Sequence, residues 1–97
     1  MRSVSDLIEG DYIAFGFNYN SKEPNEIIVD RITSVWSRGE AFIVHFLYGH
    51  KSLAEIVEKE KILAIGNEKG NGEIKGWKGK YDIINQKEID RITQGKD

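Results

Sequence analysis

The chain has 97 residues, of which 39% are hydrophobic and 31% are charged, and its formal net charge is −2. This length predicts one domain with a single modest core, and the composition is that of a folded chain rather than a disordered one. Cysteine is absent, which excludes disulfides, thiolate zinc sites and thiol nucleophiles. The net charge argues against a general polyanion binder, which is usually basic. The sequence has neither an apolar run of membrane-spanning length nor a signal-peptide pattern at its start, so we expect a cytoplasmic protein outside the membrane.

The first strand is predicted from alternating hydrophobic residues after an N-terminal turn over 1–10. Ile13, Phe15 and Phe17 fall on one face of an extended segment. A polar loop over 18–25 follows and carries the only proline, which cannot donate to a sheet ladder. The pattern predicts a strand with one buried face, followed by a loop outside the sheet.

A central hairpin is the clearest feature of the first half of the chain. The β-branched segment 26–36 is typical of a long second strand, a compact turn follows at 37–40, and 41–48 forms a third strand. Apolar residues on both faces of that third strand predict a central position in the sheet. The core is expected to contain four phenylalanines: Phe15, Phe17, Phe42 and Phe46.

The segment after the hairpin has two interpretations. Ser52 and Glu55 fit a helical capping box, which predicts a helix over 52–60. The alternative is a short strand, a tight turn and a further strand over 62–65. The surrounding β pattern favours the strand, and both interpretations stay open.

The last part of the chain contains a glycine- and lysine-rich segment, a short strand and a helix. The segment 68–80 is predicted to form a hairpin between strands, and the segment 81–84 is predicted to form the last strand. Asn85 is the predicted N-cap of a helix over 85–94, with Glu88 as its reciprocal partner three residues later. The whole chain is therefore read as a single domain, with a β core over 11–84 and a C-terminal helix.

The order of elements resembles a small SH3-like or Tudor-like barrel. The resemblance is carried by Leu7, Gly10 and Asp11 before the first strand, by the long polar loop after it, and by the central hairpin. It covers residues 7–65. It implies a mainly β fold, either a bent antiparallel sheet or a small barrel, with an α+β fold as the alternative if 52–60 is helical. Many functions share such barrels, so the resemblance implies no activity.

Catalytic and metal-binding patterns are missing from the sequence. His45 and His50 are five residues apart, whereas two ligands on one strand face need even spacing, so we expect a packed His45 and a solvent-facing His50. The glycine spacings match neither a dinucleotide fingerprint nor a phosphate loop, and no nucleophile–base pattern occurs. We therefore expect a non-enzyme with no catalytic residue, no metal and no cofactor.

Binding is the remaining class of function, and loop aromatics are its strongest signal. Aromatic side chains in or beside polar loops reach a partner more often than those inside strands. The first hypothesis is a protein–protein interaction or inhibitor-type module with an unidentified protein partner. Its predicted partner-binding residues are Tyr19, Trp36, Arg38 and Trp77.

The alternative hypothesis is a nucleic-acid-binding module. Lysines that flank a tryptophan suit single-stranded nucleic acid, since ammonium groups contact phosphates and the indole stacks on a base. The predicted residues are Lys69, Lys75, Trp77, Lys78 and Lys80. Salt separates the two hypotheses, because affinity for phosphates falls steeply as ionic strength rises.

Overall fold

The computed structural model describes residues 3–66 and 81–94, which form a bent antiparallel sheet and one short helix. The elements in chain order are β1 (Tyr12–Phe17), β2 (Glu26–Trp36), β3 (Ala41–Tyr48), β4 (Lys51–Glu58), β5 (Ile62–Gly66), β6 (Tyr81–Ile83) and α1 (Gln86–Gln94). Across the sheet the strands run in the order β4-β3-β2-β1-β5-β6, and each neighbouring pair is antiparallel. This confirms the predicted mainly β fold with a C-terminal helix. Within the described residues the sheet is bent and is not closed into a barrel.

The long strand β2 connects the two halves of the sheet. Its first half pairs with β1 and its second half with β3, and a bulge lies between Ile32 and Ser34. A bulge bends its strand and increases the local twist. The two halves therefore fold towards each other and enclose a core between them.

That inner core is built from one face of each of the strands β1 to β5. All four phenylalanines that were expected there are buried, as predicted. The ring of Phe46 packs edge-to-face on Phe15 at 5.9 Å and on Phe17 at 5.2 Å between centroids. The core is completed by aliphatic residues from several elements: Leu7, Ile13, Ile32, Val44, Val57, Ile62 and Ile65. Burial of one such side chain stabilises the fold by about 1.5–3 kcal/mol.

The segment over 52–60 is a strand, so the helical alternative is wrong. Leu53 and Val57 lie opposite Phe46 and Phe42 in the β3–β4 ladder and therefore face the inner core, as a period of two requires. A 3-10 turn at Lys59–Lys61 then leads into β5. The β3–β4 hairpin closes through two residues, and Gly49 at φ +63° occupies the position that type II′ turns give to glycine.

Helix α1 begins as the sequence predicted. The side-chain oxygen of Asn85 accepts a hydrogen bond from the backbone N–H of Glu88 at 3.0 Å, which is an N-cap. Both carboxylate oxygens of Glu88 accept hydrogen bonds of 2.8 Å from Arg91 rather than completing the capping box. Ile89 and Ile92 are buried in a second cluster with residues of β1, β5 and β6. The helix thus covers the outward side of the half of the sheet that contains β1, β5 and β6.

Candidate functional site

The candidate site lies on the half of the sheet that is formed by the second half of β2, by β3 and by β4. We name the side of this half that points away from the core the outer face. Phe42, Val44 and Phe46 point into the core, so the alternate residues of β3 point outward. The ladders place outward residues of β2 and β4 beside them. The outer face comprises Ser34, Trp36, Ala41, Ile43, His45, Leu47, Ser52, Ala54, Ile56 and Glu58.

The outer face is depleted of charge and rich in exposed apolar area. Among its ten side chains only Glu58 is a carboxylate and none is a lysine or an arginine, whereas 31% charged residues in the chain would give about three. Trp36 is 52% exposed, Ile56 54% and Leu47 74%. Ile56 lies opposite Ile43, and the pair of His45 and Ala54 lies between them and Leu47. Large apolar side chains scattered singly on a surface are ordinary, whereas several on one face of low charge are typical of interaction surfaces.

Trp36 lies at one end of this face, beside the turn that joins β2 to β3. Ser37 and Arg38 in that turn have φ of +52° and +57°, in the left-handed region that few non-glycine residues adopt. Both side chains are exposed, as is the indole of Trp36. The structure therefore brings two of the predicted partner-binding residues, Trp36 and Arg38, together at the same end of the sheet.

His45 lies near the centre of the outer face and is exposed, so the prediction of a packed His45 is wrong. The reason is that its strand has apolar residues on both sides while only one side is buried. The Thr33 hydroxyl donates to the carbonyl of Ile43 at 3.0 Å and lies 2.7 Å from Nδ1 of His45. His50 is exposed in the hairpin turn, as predicted.

Tyr19 lies at the opposite end of β3. Its ring stacks on Tyr48 at 5.5 Å and 12°, and its hydroxyl accepts a hydrogen bond of 2.7 Å from Nζ of Lys51. Tyr48 donates a hydrogen bond to Glu26 and packs edge-to-face on Phe17. The hydrogen bond from Lys51 to Tyr19 raises the pKa of the Lys51 ammonium; the electrostatic interaction with Tyr19 adds to this effect, and desolvation opposes it. The exposed ring of Tyr19 thus caps a column of aromatic rings that starts in the core.

Tyr19 therefore lies far from Trp36. They lie beside opposite ends of β3, which at about 3.3 Å per residue are roughly 23 Å apart. Trp77 and the four lysines of the nucleic-acid hypothesis (Lys69, Lys75, Lys78 and Lys80) lie outside the described residues.

Comparison with protein-family models, curated proteins and solved structures finds no match for this chain. The nine-residue α1 is the longest helix in the described part of the chain, and no helix there is long and apolar enough to cross a membrane. Function is therefore inferred from the geometry of the outer face.

Sequence reasoning did not identify Ile43, Leu47 and Ile56 as surface residues. The signal is present in the sequence, because β3 has apolar residues on both faces, but this pattern predicts a central position and does not show whether both faces are covered. In the structure β3 is central, with β2 and β4 as neighbours, yet its outward residue Leu47 is the most exposed large apolar side chain among the described residues. Such a pattern also fits a strand that is buried on one side and binds a partner on the other.

Proposed function

We propose that the protein is a non-catalytic protein-binding module whose outer face docks onto a folded partner with a flat, largely apolar surface. The observation that carries the proposal is the exposure of Trp36, Leu47 and Ile56 on a sheet face with a single charged side chain. Cores of protein interfaces are depleted of charge, and tryptophan is the residue type most enriched among their energetic hot spots. A sheet face is also rigid, so little ordering entropy is lost on binding.

The size of the face indicates how much of the neighbouring surface must take part. Three strands and eight residues span about 14 Å by 25 Å, roughly 350 Å², while a stable interface buries about 800 Å² on each partner. A partner must therefore also contact flanking elements. The turn Ser37–Gly39 next to Trp36 is the adjacent exposed element, which supports a contact role for Arg38.

Tyr19 stands apart from this interface. Tyr19 is held by Tyr48 and Lys51 within the chain, and it stacks on Tyr48, which packs against the inner core and not on the outer face. We assign Tyr19 to stabilisation of the loop between β1 and β2. The assignment of Trp77 to a partner contact stays a prediction.

The SH3-like or Tudor-like resemblance is part of this proposal. Its support is the order of the described elements: a long bent β2 shared by both halves of the sheet, a tight β3–β4 hairpin, and a 3-10 turn between β4 and β5. Small barrels of this type host many functions, so the outer face rather than the architecture carries the assignment.

Affinity capture with matched variants tests the proposal. Leu47→Lys combined with Ala54→Lys places two charges on the outer face, at positions that are already exposed. Gln86→Lys combined with Gln94→Lys adds the same charge at exposed positions of α1 and serves as the control. We expect a protein that is captured by the wild type and by the α1 variant, identified by mass spectrometry and lost with the outer-face variant. Equal capture by both variants, or turnover of a substrate by the purified chain, would refute the proposal.

A further inference from the structure

The edge of β4 carries a row of backbone groups that no described residue pairs with. Among the described strands, β4 lies at the edge of the sheet and pairs only with β3. The N–H of Lys59 donates to the carbonyl of Glu40 at 3.0 Å, which continues the β3–β4 ladder by one pair. In an antiparallel pair the backbone groups of successive residues point alternately towards and away from the neighbouring strand. The residues of β4 whose N–H and C=O groups point away from β3 are therefore Ser52, Ala54, Ile56 and Glu58. Such an edge is a template for another strand.

A groove runs beside this edge. A cavity of about 480 Å³ separates β4 from β1 and from the loop that joins β1 to β2, within the range of about 300–1,000 Å³ for ligand-binding clefts. Its lining includes Phe15, Phe17, Ser21, Lys22, Glu55 and Val57. β5 pairs with β1 only as far as Phe15, so the last residues of β1 border the groove. The groove therefore offers a strand edge on one side and an apolar floor.

Glu55 is the unusual side chain of this groove. It is partly buried, it points inward next to Val57, and within residues 3–66 and 81–94 its carboxylate has no hydrogen bond or ion pair. Burial raises the pKa of this carboxyl. Lys22 and Lys61 also line the groove, with Glu58, so the groove as a whole has no net charge. A partly buried carboxylate without a partner is the position where a basic group from outside would be accommodated best.

We propose that the β4 edge binds one extended segment of a partner protein by antiparallel strand addition, with a basic side chain opposite Glu55 and an apolar side chain opposite Val57. The residue between them points outward, beside Ile56. This site lies on a different side of β4 from the outer face and goes beyond the function proposed above. In strand addition the main-chain hydrogen bonds supply affinity, and pockets for alternate side chains supply specificity.

A palindromic peptide tests the site without knowledge of the natural partner. An acetylated and amidated seven-residue peptide carries threonine at its odd positions, valine at its second and sixth positions, and arginine at its fourth. The arginine peptide should shift the amide resonances of Ser52, Ala54, Ile56 and Glu58 in the full chain. The same peptide with glutamate in place of arginine should bind about five- to tenfold more weakly, and Glu55→Gln should remove most of that difference.

Two controls separate strand addition from other modes of binding. Ala54→Pro removes an N–H that points away from β3, so it should abolish binding while leaving the β3–β4 ladder intact. Because this variant could fail to fold, methylation of the peptide backbone tests the same main-chain hydrogen bonds. A peptide with N-methylated threonines should not bind, whereas a peptide with N-methylated valines should still bind. Leu47→Lys, which disturbs only the outer face, should retain peptide binding. Equal affinity of the arginine and glutamate peptides, or binding that survives threonine methylation, would overturn the proposal.

Discussion

Tyr48 donates a hydrogen bond of 2.5 Å to Oε2 of Glu26, which joins the end of β3 to the start of β2. The hydrogen bond to Glu26 raises the pKa of the Tyr48 phenol above 10.0, with smaller contributions from desolvation and from the charges of Glu26 and Tyr19. The folded state therefore holds this proton more tightly than the unfolded chain does. The resulting stabilisation is complete below about pH 10 and is lost as the pH rises through the folded-state pKa.

The first prediction concerns the titration of that phenol. In Glu26→Gln the pKa of Tyr48 should fall towards its ordinary value, because the amide still accepts the hydrogen bond but carries no charge. NMR titration of the Tyr48 ring resonances measures this directly. An unchanged midpoint in Glu26→Gln would show that the carboxylate is not the cause.

The second prediction concerns the ion pair on α1. The hydrogen bonds from Arg91 lower the pKa of Glu88, since they outweigh an opposing desolvation effect, and the charges of Arg91 and Lys61 add to the lowering. A lowered pKa stabilises the fold above the ordinary value of 4.5, and this stabilisation is lost as the pH falls through the folded-state value. Glu88→Gln should reduce Tm by about 2 °C near neutral pH, since exposed pairs at this spacing contribute little.

The difference between wild type and Glu88→Gln should then vanish at acid pH. Thermal unfolding followed by circular dichroism across the acid range measures it, with Glu9→Gln as a control for the loss of an exposed carboxylate. A difference that persists after Glu88 is protonated would assign the effect to helix propensity instead.

The third prediction concerns the close approach of three elements at Gly16. A β-carbon at this position would lie 2.7 Å from Cβ of Pro24 and 2.9 Å from Cδ1 of Ile92. Gly16→Ala should therefore lower the free energy of unfolding by about 1–3 kcal/mol, as overpacking does. Urea denaturation measures the loss. Adding Ile92→Val removes the Cδ1 contact and should recover part of it in a double-mutant cycle, whereas strict additivity would contradict this explanation.

The fourth prediction concerns the imidazole of His45. The single proton of the Thr33 hydroxyl is donated to Ile43, so Nδ1 of His45 must donate to Thr33. The neutral ring should then carry its proton on Nδ1 and leave Nε2 as an acceptor at the centre of the outer face. Long-range ¹H–¹⁵N correlation spectra at about pH 8.5, where an ordinary histidine is neutral, distinguish the tautomers. Thr33→Val should abolish the preference, and a wild-type ring protonated on Nε2 would contradict the assignment.

The fifth prediction separates protein binding from nucleic-acid binding. If the outer face is the functional surface, mixed-sequence single-stranded DNA and RNA at low salt should leave the amide resonances unchanged. Shifts at the Trp77 indole and at Lys75, Lys78 and Lys80 that fade as salt is added would favour the nucleic-acid hypothesis instead.

Local patterns predicted the strands of the central hairpin and the start of the helix. β2 and β3 have the predicted bounds, because β-branched and aromatic residues alternate there and the turn between them is short. Asn85 caps α1 as predicted, since capping depends on neighbouring residues only. For 52–60 the apolar residues Leu53, Ile56 and Val57 share one face of a helix, whereas in a strand only Leu53 and Val57 share a face. Pairing with β3, a tertiary interaction, decided between them.

The uncovered face could not be predicted in the same way, because it depends on where the helix packs. Ala14 and Ala64 are buried beneath α1, and Gly16 also lies against Ile92. Small residues on one half of the sheet leave room for a helix, while Trp36, Leu47 and Ile56 on the other half do not. The sequence shows both the small residues and the large ones, but the strand order is needed to assign each set to one half of the sheet.

Helix α1 covers only one half of the sheet, so the residues of the outer face can be substituted independently of the helix contacts. Residues that hold the helix and the residues that we propose contact a partner lie on different halves, joined by β2 across its bulge. If the outer face is the binding surface, substitutions there should alter recognition without disturbing the helix contacts. A library confined to Ser34, Ile43, Leu47 and Ala54 could therefore be selected for new partners while the scaffold keeps its shape, which makes this small domain a starting point for directed evolution of binders.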